Sequence, residues 1–149
     1  VANTSNPTMV LSYKIANLAF GAPWLLKSPN HYFAFCSIEG DFKFWIDNKL
    51  ILQEPSWNIG ELAVQLAAWL QLGLQGDFHY QCMDAEEQNL FTFQHQGSSF
   101  QFISEWATDS TYRLITEEAL TAFISQYRID VKNRIMNDLG YDSGSYLGK

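Results

Sequence analysis

The chain has 149 residues, room for one ordinary domain, and its 47% hydrophobic and 15% aromatic content excludes a disordered polymer. Sixteen Asp and Glu against nine Lys and Arg give a net charge of −7, which disfavours nucleic-acid phosphates and anionic membrane surfaces as partners. No apolar run approaches the roughly 20 residues of a membrane span, no signal peptide is visible at the start, and the two cysteines, Cys36 and Cys82, make no disulfide framework. The expectation is a cytoplasmic protein, with a Cys36–Cys82 pairing left open.

In chain order, residues 1–8 are polar and unpatterned and read as a disordered segment or a non-native addition ahead of Met9. Met9–Phe20 is an apolar strand candidate ending at Gly21-Ala22-Pro23. His31–Ile38 is aromatic-rich and reads as a strand, Glu39-Gly40-Asp41 as a turn. Phe42, Phe44 and Ile46 alternate with Lys43, Trp45 and Asp47, the period of a strand. Asp47-Asn48 is a tight turn into Lys49–Gln53. Asn58 followed by Glu61 resembles a capping box. Leu62, Leu66, Trp69 and Leu70 then form one helical stripe, with Trp69 as a core anchor. Gly73 and Gly76 close that helix.

Three further strands are expected over Asp77–Met83, Asn89–His95 and Ser99–Trp106, with Gly97-Ser98 turning between the last two. Thr116 should cap a second helix whose first turn holds Glu117 and Glu118. Its stripe runs through Leu120, Phe123, Ile124, Tyr127, Val131, Ile135 and Leu139, and Gly140 suits the residue just past its end. Residues 140–149 read as a flexible tail. The pattern predicts a single α+β domain over residues 9–139: a mostly antiparallel, twisted sheet of about six to seven strands packed with two helices.

Catalytic signatures are missing from the sequence. His79 and Cys82 are three apart in a strand and so point to opposite faces. No zinc-ligand spacing, phosphate-binding loop or nucleophile elbow occurs. Neither a cofactor nor a metal is expected, and the acidic run Asp84–Glu87 lacks the calcium-loop pattern.

Charge is the informative feature. From Leu50 to Tyr112 there is no Lys or Arg, while Glu54, Glu61, Asp77, Asp84, Glu86, Glu87, Glu105 and Asp109 all fall there. Several of these lie in links between strands, at the ends of a sheet. A rim of uncompensated carboxylates speeds encounter with a cationic surface. Tyr80 and Trp106, close by in sequence, are candidate aromatic anchors. The expected partner-binding set is Asp77, Tyr80, Asp84, Glu86, Glu87, Glu105, Trp106 and Asp109.

Glu39-Gly40-Asp41-Phe42 leading to Ile46-Asp47, Glu61-Leu62 with Leu66 and Trp69, Asp77-Phe78-His79-Tyr80, Glu86-Glu87, Leu90, Phe93, and Phe102-Ile103-Ser104-Glu105-Trp106 with Leu120 and Phe123-Ile124 form a pattern. It resembles bacterial immunity proteins of toxin–immunity systems, including contact-dependent growth inhibition. The resemblance implies a cytoplasmic, non-enzymatic inhibitor of one cognate toxin domain, a basic nuclease whose cationic cleft an acidic surface covers. Two other readings stand beside it: a general protein-binding module without a toxin partner, and a carboxylate-based hydrolase, which requires two carboxylates of divergent pKa in one pocket.

Overall fold

A computed structural model describes residues 8–27, 29, 31–81, 90–109 and 112–148. Seven antiparallel strands fall into two sheets, β1-β2-β3 and β4-β5-β6-β7, so the α+β, antiparallel expectation is met by two sheets. β1 is Leu11–Phe20, β2 Ile38–Ile46 and β3 Lys49–Trp57. In β2 every second residue from Ile38 to Ile46 is buried, which extends the alternation seen at Phe42, Phe44 and Ile46 back through Gly40. The expected turn at Glu39-Gly40-Asp41 is therefore strand. Glu39 pairs with Ala19 and Asp41 with Ala16, across an irregularity in β1 where Asn17 takes φ +58°. A Cβ on Gly40 would lie 2.8 Å from the Ala16 carbonyl oxygen. The glycine thus serves the close approach of β1 at its register shift, with no turn involved.

The expected strand at His31–Ile38 is also corrected. His31–Cys36 forms a short helix, α1, burying Ala34, Phe35 and Cys36 in succession, a run no two-faced strand could hide on one side. Aromatic β-propensity gives way here to packing.

The two-residue turn at Asp47-Asn48 is as expected, with Asp47 at φ +56°. After β3 comes α2, Ile59–Gln71, whose buried residues include Leu62, Leu66 and Trp69. Asn58 occupies its N-cap position but makes no side-chain cap; its Nδ2 donates to the Cys36 carbonyl at 2.8 Å. The capping-box reading fails because Asn58 is buried and ties α1 down, and Glu61 is buried too. Trp69 is a core anchor, as its place in the stripe indicates. It stacks on Phe93 at 6.0 Å and donates its Nε1–H to the Gln75 carbonyl at 3.1 Å.

β4 (Phe78–Tyr80), β5 (Phe91–Gln96), β6 (Ser99–Ile103) and β7 (Ile115–Thr116) form the second sheet. Its inner face meets the first sheet through Phe44 against Phe102, 5.4 Å apart, and Trp57 against Phe91, 6.3 Å apart. The long helix α3, Glu117–Leu139, begins at Thr116, whose side chain accepts the Ala119 N–H at 3.1 Å. It ends at Gly140 in the left-handed conformation at φ +67°. Both ends are as the sequence indicates. α3 also covers the open edge of β1: Tyr13 donates to Asp130, and Arg134 Nη1 donates to the Ile15 carbonyl at 3.0 Å.

The segment expected as a flexible tail packs down instead. It carries α4, Gly144–Leu147, with Leu147 buried and its carbonyl accepting from Arg128. Three glycines suggested mobility, but Tyr146 against Phe35 (4.9 Å) and Tyr141 against Phe20 (5.6 Å) hold the chain. No helix among the described residues is long and apolar enough to cross a membrane.

Candidate protein-docking surface

Strand alternation sorts the second sheet into two unlike faces. Phe78, Tyr80, Phe91, Phe93, Phe100 and Phe102 point inward and are buried. Tyr80 is fully buried, and its hydroxyl donates to the Asn58 carbonyl at 3.0 Å. That corrects its expected role as a surface anchor: in a three-residue strand flanked by exposed positions, it takes the inward side.

The outward face is built in rows. His79 pairs with Thr92, and Thr92 with Ile103; the His79 Nδ1 and Thr92 Oγ1 lie 2.9 Å apart. Gln94 pairs with Gln101 in the next row. Gln96 Nε2 donates to Gln94 Oε1 at 3.0 Å and to Gln101 Oε1 at 3.4 Å. Leu114, just before β7, is 46% exposed and Ile103 is 43% exposed. No residue of β4 to β7 is Asp, Glu, Lys or Arg, so this sheet face is free of formal charge; it is exposed at His79, Gln101 and Ile103 and closed over Thr92, which is buried.

Acids stand at its two ends. Asp77, just before β4, is exposed, and its Oδ1 accepts the His95 N–H at 2.9 Å beside the β5–β6 turn. Glu105 and Trp106 follow β6 at the opposite end, both exposed. There Ser104 Oγ donates to the Leu90 carbonyl at 2.8 Å and accepts the Trp106 N–H at 3.1 Å. Asp77 and Glu105 therefore do not share one rim; they bracket the face along the strand direction. Asp84, Glu86 and Glu87 lie outside the described residues.

Asp109 departs from the expectation of an unneutralised carboxylate. It lies 3.7 Å from Lys49 Nζ, because the chain after β6 runs along the open edge of β3. Thr108 N donates to the Ile51 carbonyl at 2.7 Å, and Thr108 Oγ1 to the Leu50 carbonyl at 2.8 Å. A cation from outside the cation-free stretch is thereby folded back onto an acid within it.

Next to this pair is an open groove of about 570 Å³ lined by Ile46, Asp47, Asn48, Lys49, Tyr112 and Arg113. Its charges are matched: Arg113 Nε donates to Asp47 Oδ2 at 2.8 Å. The hydrogen bond from Arg113 holds the Asp47 carboxyl below its usual range, while burial pushes that of Glu54 up. Those opposed carboxylates do not share a pocket. Asp47 sits in the β2–β3 turn and Glu54 pairs with Phe42 along β3, which at about 3.3 Å per residue is a separation of roughly 15–20 Å. Among the described residues no three His, Cys, Asp or Glu side chains gather as metal ligands.

A family model described as a domain of unknown function, DUF7878, matches residues 11–137. The chain belongs to the DUF7878 family. No curated protein and no solved structure matches it. The DUF7878 match runs from the start of β1 almost to the end of α3, so the charge-free face and its bracketing acids both lie inside it, whereas α4 lies beyond. The residues that make up the face of this DUF7878 domain (His79, Gln94, Gln101, Ile103 and Leu114) escape a search for motifs and charge. Their signal is a negative one: glutamines at the positions of β5 and β6 that alternate with buried aromatics, where exposed strands usually place charges.

Proposed function

We infer that this protein is an inhibitor of the toxin-immunity type, which binds a cognate toxin domain of basic charge and neutralises it by occupying its surface. The reading is carried by one observation. Within the cation-free stretch from Leu50 to Tyr112, Asp77 and Glu105 are exposed and pair with no cation among the described residues. Such carboxylates project a negative field over about 8 Å in physiological salt, enough to steer a cationic protein and to reject nucleic acid. Trp106, 38% exposed beside Glu105, supplies the kind of aromatic contact on which binding energy concentrates.

The sequence resemblance to immunity proteins agrees with this use of the surface, and a nuclease is the toxin class whose own cleft is most basic. Co-expression with toxin-domain genes sought in the neighbourhood of this one tests the reading. Cells carrying both should survive induction that kills cells carrying the toxin alone. Equal killing in the two strains would sink it.

A further inference from the structure

Stable protein interfaces have a centre depleted of charge and a charged or polar rim. The outward face of the β4–β7 sheet has this anatomy: Gln94, Gln101 and Ile103 in the middle, Asp77 at one end, Glu105 and Trp106 at the other. Resting on the inhibitor reading above, we propose that this sheet face is the docking surface, and that its occupant is a folded protein with cationic side chains around a neutral contact patch.

Three observations select that occupant. The first is charge. The exposed acids at the two ends are joined by a face with no cation, and nearby Arg113 is already engaged by Asp47. A second copy of this chain would set like charges against each other, which costs binding energy. The second is chemistry. The side chains of Gln94 and Gln101 offer both donors and acceptors, and Gln96 holds them in register. An amide-lined sheet can therefore meet backbone or side-chain polar groups without burying an unpaired charge. The third is size. The strands β4 to β7 hold three, six, five and two residues, which at about 4.8 Å spacing and about 3.3 Å per residue give a flat area of roughly 250 Å², short of the roughly 800 Å² per partner of a stable complex. The contact must spill over both ends, onto Asp77 and onto Glu105 and Trp106, and so meet the acids.

The experiment uses a toxin domain that passes the co-expression test above, catalytically inactivated, and measures its affinity for the full-length chain by titration calorimetry. Gln101→Lys and Gln94→Lys should each weaken binding at least tenfold. Asn133→Lys, the same charge change at an exposed position of α3, should change it less than twofold. Circular dichroism checks the fold of each variant. Hydroxyl-radical footprinting of the wild-type complex needs no variant: Ile103, Trp106 and Leu114 should be protected. If the wild type binds but neither lysine weakens it and those residues stay reactive, the sheet face is the wrong surface while the inhibitor reading stands. Absence of wild-type binding removes both. Wild-type self-association that Gln101→Lys abolishes would make the occupant a second copy and overturn the proposal.

Discussion

Arg113 grips Asp47 with two donors, Nε at 2.8 Å from Oδ2 and Nη2 at 3.3 Å from Oδ1, and so ties the segment just ahead of β7 to the β2–β3 turn. The Val10 N–H adds a third bond to Asp47 Oδ1 at 3.1 Å. These partners lower the carboxyl pKa, the Arg113 hydrogen bond most. A carboxyl depressed in the folded state contributes stability above its unfolded pKa of about 3.9, and loses it as pH falls through the folded value. Asp47→Asn keeps a side chain that tolerates φ +56°. Both partners are well exposed, so the variant should lose only about 0.5–1 kcal/mol at pH 7. Urea denaturation at pH 7 and again near pH 2 checks this: the gap between wild type and variant should close in acid.

The opposite sign governs Tyr13. Burial, then the hydrogen bond and charge of Asp130, push its phenol pKa up. A phenol raised in the folded state stabilises the fold below its unfolded pKa of about 10, and that stability drains away as pH rises beyond it. Tyr13→Phe removes the hydroxyl that fastens β1 to α3 but keeps the ring against Phe123 and Tyr127, at 5.6 and 5.2 Å. The expected loss at pH 7 is about 1.5–3 kcal/mol, typical of a hydrogen bond to a charged group. Above pH 10 the variant should become less pH-sensitive than the wild type in thermal melts.

Gly40 shows where sequence and structure part. Between two acids it reads as a turn, but a Cβ added there would lie 2.7 Å from Leu18 Cδ2 and 2.8 Å from the Ala16 carbonyl oxygen, which marks a close approach of β1. Gly40→Ala should cost about 1–3 kcal/mol, because the carbonyl cannot yield as a side chain can; a Gly40→Ala midpoint equal to the wild type's would refute the close approach. Local signals were legible wherever the chain's own neighbours decide them: the alternation of Phe42, Phe44 and Ile46, the Thr116 cap, Gly140, and the Trp69 anchor. Where a distant segment decides, they were not. Asn58 has the right spacing for a cap but is claimed by the Cys36 carbonyl. Likewise, Tyr80 near acids has the look of an anchor, yet the strand register turns it inward. Of the candidate site, Asp77, Glu105 and Trp106 were readable as candidates by residue type, but their predicted places lay inside strands, whereas β4 begins at Phe78 and β6 ends at Ile103 and leaves all three just outside. Asp109 was not, since its neutralisation depends on Lys49 arriving from another hairpin.

Glu105 offers a kinetic reading of the docking surface that equilibrium binding alone would miss. It is exposed, it lies at one end of a charge-free face, and no cation among the described residues pairs with it. A rim charge of this kind acts on encounter more than on the lifetime of the complex. Glu105→Lys should therefore slow association with the proposed cationic partner roughly three- to tenfold at low salt while leaving dissociation nearly unchanged. Raising ionic strength shortens the screening length from about 10 Å at 0.1 M to about 3 Å at 1 M, so the association rates of variant and wild type should converge at high salt. Asp77→Asn, which retains an oxygen to accept the His95 N–H, should behave the same way with a smaller change in charge. Stopped-flow association measured across a salt series distinguishes the outcomes: parallel curves that never converge would mean that Glu105 acts through direct contact, and unchanged curves that neither carboxylate faces the incoming protein.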